Sequence, residues 1–453
     1  MGICLHGFLL YKNNINLGVK IIMNKNLIKP SILPGLMELL PKEQQKFNDI
    51  VNKILDVYEK NGCLPMDTPI IEKAEVLLAK SGGETEKQVY RFQKGKNDLT
   101  LRFDLTVPFA RFTAQYYDRL QFPFKRYQLG KVYRGERNQK GRYREFYQCD
   151  VDIIGNGKLS IYNDAYVISL VYKAFKAIKL EQFKFQISNR KILKGIFNEL
   201  KIDNQLEVMI LIDKYDKIGK SKFEEELIEL IGDKKSEFLN NILDTDGDNN
   251  EKIEKLSNLN IKDTYFIDGI SELKKVKEML NTLDVEDDKF TINLKIIRGL
   301  DYYTGTVFET LLTDNEKYGS ICSGGRYDNL AGNYTDKILP GVGISIGMTR
   351  LFFILKEIGF IDNYNLESSL DYLIMPIGDT INYCAKIMKN LEKKGYGASI
   401  YFEDDTLKKK MNYADKIGVK YVILVGEDEV KRNEVKIKNM ESGNNVVIAY
   451  DEL

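Results

Sequence analysis

Histidine is almost absent from this chain: 453 residues contain one, His6. A Ser-His-Asp or Cys-His mechanism is therefore nearly impossible, and so is a histidine-ligated metal. The same scarcity disarms a lookalike. Gly343-Ile-Ser345-Ile-Gly347 fits the GxSxG nucleophile pattern, but the one imidazole, His6, lies in an N-terminal stretch that reads as an extension and is not expected to activate the serine. Cysteine is sparse as well. Cys4, Cys63, Cys149, Cys322 and Cys384 lack CxxC spacing, which argues against a zinc site or disulfide framework and for a reducing cytosol. No apolar run approaches the roughly 18 residues that a membrane helix needs. A net charge of +1 gives no global field for nucleic acid, so any basic patch must be local.

What is present is a long globular chain, with material for two to four domains. Residues 1–23, "MGICLHGFLLYKNNINLGVKIIM", imitate a signal peptide but lack a charged start, an unbroken apolar core and a small-residue cleavage site. They read as an extension outside the fold, with Met23 as the expected functional start. Residues 42–60 have helical periodicity and stop at Asn61-Gly62. From Leu99 to about Ile154 the pattern is β, and residues 160–180 are helical. Residues 188–283, rich in Lys, Glu and Leu/Ile at helical spacing, read as a separate helical insertion. Within them "DTDGDNNE" near Asp244 misses the spacing of a calcium loop and reads as a polar loop. After a polar stretch at about 360–370, strands and helices alternate to the end. That alternation predicts a small α/β domain with a largely parallel sheet.

Two stretches carry a chemical face. In "LTLRFDLTV", Leu99 to Val107, strict alternation predicts one half-buried strand with Arg102, Asp104 and Thr106 on its polar side. "FKRYQLGKVYR" and "RYREFYQCDVDIIG", joined by "GERNQKG", predict a long hairpin. Its second strand places Arg142, Arg144, Phe146, Gln148, Asp150 and Asp152 on one face, with Arg134 near the arginine end. Such a face is graded: guanidinium forks for phosphate, an aromatic ring for a base, then an amide and carboxylates for an ammonium group.

These residues resemble a known set. "YRGERNQKGRYREFYQCDVDIIG" is similar to motif 2 of the class II aminoacyl-tRNA synthetases, "GVGISIGMTR" to motif 3, and residues 42–69 to the weaker motif 1, the dimer element. "RGLDYYTGTVFE" and "SGGRYDNL" resemble the two signature stretches of the histidyl-tRNA synthetase family. The resemblance runs from about Leu33 to the C-terminus and is weakest in the insertion. It implies an α+β fold: an antiparallel-sheet catalytic domain with flanking helices in two parts, 24–187 and 286–360, a helical insertion at 188–285, and a C-terminal α/β anticodon-binding domain at 371–453.

It also implies a chemistry, in which histidine attacks the α-phosphate of ATP and histidyl-adenylate then acylates tRNA(His), in a cytoplasmic homodimer. Carried over by position, Arg298 and Arg134 would be catalytic at the α-phosphate. Asp104, Leu105, Thr106, Arg134, Gln148, Asp152, Arg298, Tyr302 and Tyr303 would bind histidine. Arg134, Glu136, Arg142, Phe146 and Arg350 would bind ATP, with Mg²⁺. Arg137 and Gln139 would meet the tRNA acceptor end, or be plain solvated loop residues. The chain departs from the family at Asn138, where proline is common, at Asn329, often glycine, and in "LPGLMELLP" near the start. Two other readings stay open: an inactive paralogue acting as a regulatory subunit of ATP phosphoribosyltransferase, and a related ligase for another amino acid.

Overall fold

The structure is a computed structural model that describes residues 28–79, 84–137, 140–297, 302–364, 366 and 370–453. The chain forms two compact units, one ending at Asp362 and one from Asn363 to Leu453. Residues 1–23, His6 among them, lie outside the described residues.

The first unit is built on an eight-stranded sheet. In chain order its strands are β1 (Leu64–Pro65), β5 (Phe124–Tyr133), β6 (Glu145–Ile154), β7 (Lys184–Asn189), β8 (Phe290–Ile292), β9 (Thr306–Leu311), β10 (Cys322–Tyr327) and β11 (Gly341–Gly347). The spatial order is β1-β5-β6-β11-β10-β9-β7-β8. Neighbours from β5 to β7 are antiparallel, while β1 and β8 add parallel pairings at the two edges. A small antiparallel sheet of β2 (Ile71–Lys73), β3 (Arg91–Lys94) and β4 (Asn97–Leu101) stands beside it.

The first long helix, Pro41–Lys60, starts with proline at its first turn, where the missing N–H costs nothing. Its buried stripe is Phe47, Ile50, Val51, Ile54 and Tyr58, at the spacing of one helical face. It ends where Asn61 Nδ2 donates to the Val57 carbonyl and Gly62 takes φ +78°. The stripe packs on the sheet: Phe47 lies 5.6 Å from Tyr147 of β6, and Tyr58 6.2 Å from Tyr127 of β5. Period-2 alternation sends Phe146, Gln148, Asp150 and Asp152 to the opposite face.

The helical stretch runs from Arg190–Glu199 to Thr264–Thr282. Those two helices cross at glycines. A Cβ on Gly195 would lie 2.4 Å from the Phe266 nitrogen, and one on Gly269 would lie 2.8 Å from the Ile192 side chain. The polar loop after Leu243 behaves as a cap: Asp248 and Glu251 form a reciprocal capping box on the helix Asn249–Ser257.

In the second unit the strands are β12 (Tyr372–Pro376), β13 (Ala398–Ile400), β14 (Tyr421–Val425), β15 (Glu434–Asn439) and β16 (Asn445–Ala449), ordered β13-β12-β14-β15-β16. The sheet is mixed rather than largely parallel, because β14-β15 and β15-β16 pair antiparallel. The link from Asn439 to Asn445 is too short for the crossover that parallel strands require.

Candidate active site

The hairpin forms where the sequence places it, and its register builds the site. Gly130 faces Gln148, Val132 faces Phe146, and Arg126 faces Asp152. Residues directly opposite share a face, so the graded face of β6 continues onto β5. The strand begins at Glu145, so Arg142 and Arg144 belong to the hairpin loop. Arg144 turns away to brace the chain: its N–H donates to the Gly35 carbonyl (2.7 Å) and its Nε to the Glu136 carbonyl (3.1 Å).

The expected strand Leu99–Val107 stops at Leu101. The reason is Arg102, which turns inward to 2% exposure. Its Nε donates to the Lys131 carbonyl at 2.7 Å and its Nη1 to the Thr68 carbonyl at 2.5 Å. Gly130 makes the room, since a Cβ there would sit 2.4 Å from Arg102 Nη2. The chain then turns into the helix Thr106–Gln115. Asp104 Oδ1 accepts from the Thr106 and Val107 N–H groups at 3.1 and 2.9 Å.

On this face opens a cavity of about 390 Å³. Its lining includes Asp104, Thr106, Arg134, Glu136, Arg142, Phe146, Gln148, Tyr302, Tyr303 and Arg350, ten side chains singled out from the sequence. At one end Arg134 lies over two rings, 4.4 Å from the Phe103 centroid and 5.2 Å from that of Phe146. Its Nε donates to the Phe103 carbonyl at 3.1 Å, which fixes the guanidinium plane. Arg142 pairs with Glu136 at 3.6 Å. Arg350, in the first turn of the helix Met348–Glu357, donates to the Tyr318 carbonyl.

At the other end Tyr302 and Tyr303 meet edge to face at 4.8 Å. They occupy a turn before β9, not a regular strand, so both reach one cavity. Gly325 admits the Tyr303 ring, because a Cβ there would lie 2.8 Å from it. Burial pushes the Tyr302 phenol well above its usual range, with the neighbouring Tyr303 and Asp104 adding to it. Burial also raises Asp104, against the pull of its two backbone N–H donors and of Arg134. A cation bound there would restore the charged carboxylate.

Two residues expected at the amino-acid end take other places. Leu105 is wholly buried, so its side chain belongs to the core. Asp152 lies beneath the cavity wall, where Tyr327 Oη donates to Oδ1 at 3.0 Å and Arg126 Nη2 stands 2.6 Å from Oδ2. Arg137 is exposed on the hairpin loop. Arg298, Gln139, Asp301 and Asn138 fall outside the described residues.

The lining also holds residues that the sequence reading missed: Phe103, Tyr143, Ser320, Ile321, Ser323 and Ser345. Ser345 sits in the middle of β11, not on a strand-to-helix elbow, and accepts from Gln148 Nε2 at 2.7 Å. The signal was there: Gly343, Ser345 and Gly347 alternate on one side of a strand whose other positions are apolar.

Comparison with known proteins agrees with this geometry. The family model described as histidyl-tRNA synthetase matches residues 35–351, and that described as anticodon binding domain matches 371–453. A histidine–tRNA ligase of Clostridium acetobutylicum is 62% identical over 428 residues, 94% of this chain and 100% of that protein. One of Clostridium tetani is 51% identical over 432 residues, 95% of this chain and 98% of that one. A crystal structure of histidyl-tRNA synthetase from Nostoc sp. superposes with a TM-score of 0.86 at 35% identity, covering 94% of this chain and 98% of that one. The chain belongs to the histidyl-tRNA synthetase family.

Proposed function

We propose that this chain is a histidine–tRNA ligase, which activates L-histidine with ATP and transfers it to tRNA(His). The observation that carries the reading is one cavity with arginines and an aromatic ring at one end, and a carboxylate with paired tyrosines at the other. Phe146 stacks on adenine, while Arg142 and Arg350 take the outer phosphates. Arg134 spans the α-phosphate and the substrate carboxylate, a fixed cation where charge develops. Asp104, Thr106 and Gln148 receive the ammonium group, and Tyr302 and Tyr303 enclose the imidazole. Arg298 serves as a second cation at the α-phosphate. In-line phosphoryl transfer runs on positioning and charge, so the scarcity of histidine costs it nothing.

Mg²⁺ fits as a companion of ATP. Such an ion takes most of its ligands from phosphate oxygens and one or two carboxylates, and Glu136 is the carboxylate at the arginine end. Among the described residues no cluster of three His, Cys, Asp or Glu side chains forms a resident site. When bound, the ion would offset charge on the phosphates.

Arg137 and Gln139 meet the acceptor end of the tRNA, and residues 371–453 its anticodon. A homodimer is supported by exposed apolar side chains, Leu64 on the edge strand β1 and Ile70 and Ile71 at the start of β2. The cytoplasm is the proposed compartment; among the described residues no helix is long and apolar enough to cross a membrane.

The regulatory-subunit reading has less support. A structure from Bacillus halodurans titled as an ATP phosphoribosyltransferase regulatory subunit/histidyl-tRNA synthetase shares the fold, with TM-score 0.74 at 20% identity. ATP–pyrophosphate exchange with each of the twenty amino acids decides. Exchange with histidine alone supports the ligase; exchange with none leaves the regulatory reading, and exchange with another amino acid a different ligase.

A further inference from the structure

Between the helical stretch and the edge of the large sheet lies a separate cleft of about 430 Å³, the size of a small-molecule pocket. Its helical wall carries Lys220, Asp244, Asp246 and Lys252, and its sheet wall carries Gln186 of β7, Thr291 of β8 and Lys295 just beyond. The walls are tied together. Asn249 Nδ2 donates to the Phe290 carbonyl at 3.0 Å, and its Oδ1 accepts from the Ile292 N–H at 2.9 Å. The capping box fixes the start of the helix Asn249–Ser257, so Lys252 projects from a set position.

Positive charge in this cleft exceeds what its carboxylates can pair. Asp244 is fully engaged, with Lys295 Nζ 2.6 Å from Oδ1 and Lys220 Nζ 2.7 Å from Oδ2. Lys252 has no such partner: its Nζ donates to Thr291 Oγ1 at 3.1 Å and to the Ile292 carbonyl at 3.0 Å, both neutral acceptors. An ammonium carries three N–H donors, so one is left for a ligand. Among the described residues no carboxylate forms an ion pair with Lys252. Burial, and next the Lys184 ammonium, push Lys252 below the usual lysine range, with Lys295 adding to the fall and Asp246 opposing it. A bound anion would supply the charge that the cleft lacks. Gln186 Oε1 accepts from Asn293 Nδ2 at 2.6 Å, which leaves the Gln186 amide N–H groups as further donors.

We propose that this cleft is a second anion site, which takes a compact phosphate-bearing ligand of the size of pyrophosphate, with Lys252 as its chief contact and Lys184 and Lys295 adding charge. Lysine binds phosphate as a compact point charge through charge-assisted hydrogen bonds. Lys184, Lys252 and Lys295 are half-buried, which fits a small anion that enters the cleft rather than an RNA backbone that lies across a surface. Such a ligand bridges the helical stretch and the sheet. The inference stands apart from the ligase reading, because this cleft and the cavity of the active site share no lining residue.

The test is competitive acetylation of the full chain, read lysine by lysine by mass spectrometry, with pyrophosphate, AMP or a tRNA(His) transcript as protectant. Among the described residues no lysine lines the cavity of the active site, so binding there leaves the readout untouched. Saturating pyrophosphate should cut the labelling of Lys252 by roughly 10-fold, because the anion holds its amine protonated. Lys389, an exposed lysine of the second unit, should be labelled as before. In Lys184→Gln the half-protecting concentration should rise by about 3- to 10-fold; an unchanged value overturns the assigned contacts. AMP that protects as well as pyrophosphate also supports the site and makes its ligand a phosphate ester. Protection by the transcript alone overturns the small-anion site in favour of RNA, and protection by none of the three overturns it outright. An equal fall at Lys389 marks general screening and overturns it too. Should K184Q fail to fold, protection of Lys252 in wild type still decides.

Discussion

Arg126 and Asp152 face each other across the β5–β6 hairpin, with 2.6 Å between Nη2 and Oδ2 and the arginine wholly buried. The guanidinium also lies 4.2 Å over the Phe109 ring and 3.9 Å from Asp150. One cation thus serves two buried carboxylates under the amino-acid end of the cavity, and Tyr327 fixes the free oxygen of Asp152. Tyr327 in turn lies 6.1 Å from Tyr302, so the buried charge cluster reaches the cavity through two rings.

That cluster leaves no room at Gly343. A Cβ there would stand 1.8 Å from Asp152 Oδ1, an atom pinned by Tyr327 while its partner is pinned by Arg126. Gly343→Ala should therefore cost about 1–3 kcal/mol of stability, the usual penalty of overpacking. Urea unfolding measures it, and an unchanged midpoint would mean that the carboxylate can move aside.

Asp150 should make stability depend on pH. Burial pushes its carboxyl up to about 7, with Arg126 opposing and Asp152 adding to the rise. The folded chain therefore keeps a proton that the unfolded chain releases near pH 4. The contribution is full below the unfolded value and is lost as pH rises toward 7. Between about pH 5 and 7, wild type should lose stability relative to Asp150→Asn by on the order of 1 kcal/mol per pH unit. Unfolding midpoints across that range check it; parallel profiles would sink the idea.

Arg134 combines a fixed plane with a position over Phe103 and Phe146. Lysine keeps the charge but loses the fork and the planar stacking. Arg134→Lys should slow adenylate formation by about 10²- to 10³-fold, read by single-turnover kinetics. A loss confined to the ATP KM would make it a ground-state binder.

Arg326 supports the tyrosine turn from below. Its guanidinium holds the fully buried Asp164 at 2.7 Å and donates to the Leu159 and Ser160 carbonyls. Arg326→Gln would strand a buried carboxylate, at a cost of about 3–5 kcal/mol. Adding Asp164→Asn should recover part of the loss in thermal unfolding.

Local patterns made much of the fold legible. The helix Pro41–Lys60, the hairpin and the outline of the C-terminal unit follow from periodicity, caps and turn residues. The graded face on β6 was readable because alternation is enforced by backbone geometry. The same rule misled at Leu99–Val107. Alternation describes what a chain can do as a strand, and it took the carbonyls of Thr68 and Lys131 to draw Arg102 inward and end that strand at Leu101.

The sequence alone determined the chemistry that is available: one histidine outside the described residues, cysteines without CxxC spacing, and arginines, carboxylates and tyrosines in strand and turn contexts. Tertiary structure decided which of them share a cavity. Leu105 went to the core and Asp152 beneath the wall, because each is set by partners far away in the chain, Arg126 and Tyr327 in the case of Asp152. Tyr302 and Tyr303 reach one cavity from a turn whose Tyr303 carbonyl accepts from Arg190 and whose Thr304 N–H donates to the Arg326 carbonyl. Adjacent residues cannot announce that, since the forces that bend the turn come from elsewhere in the fold.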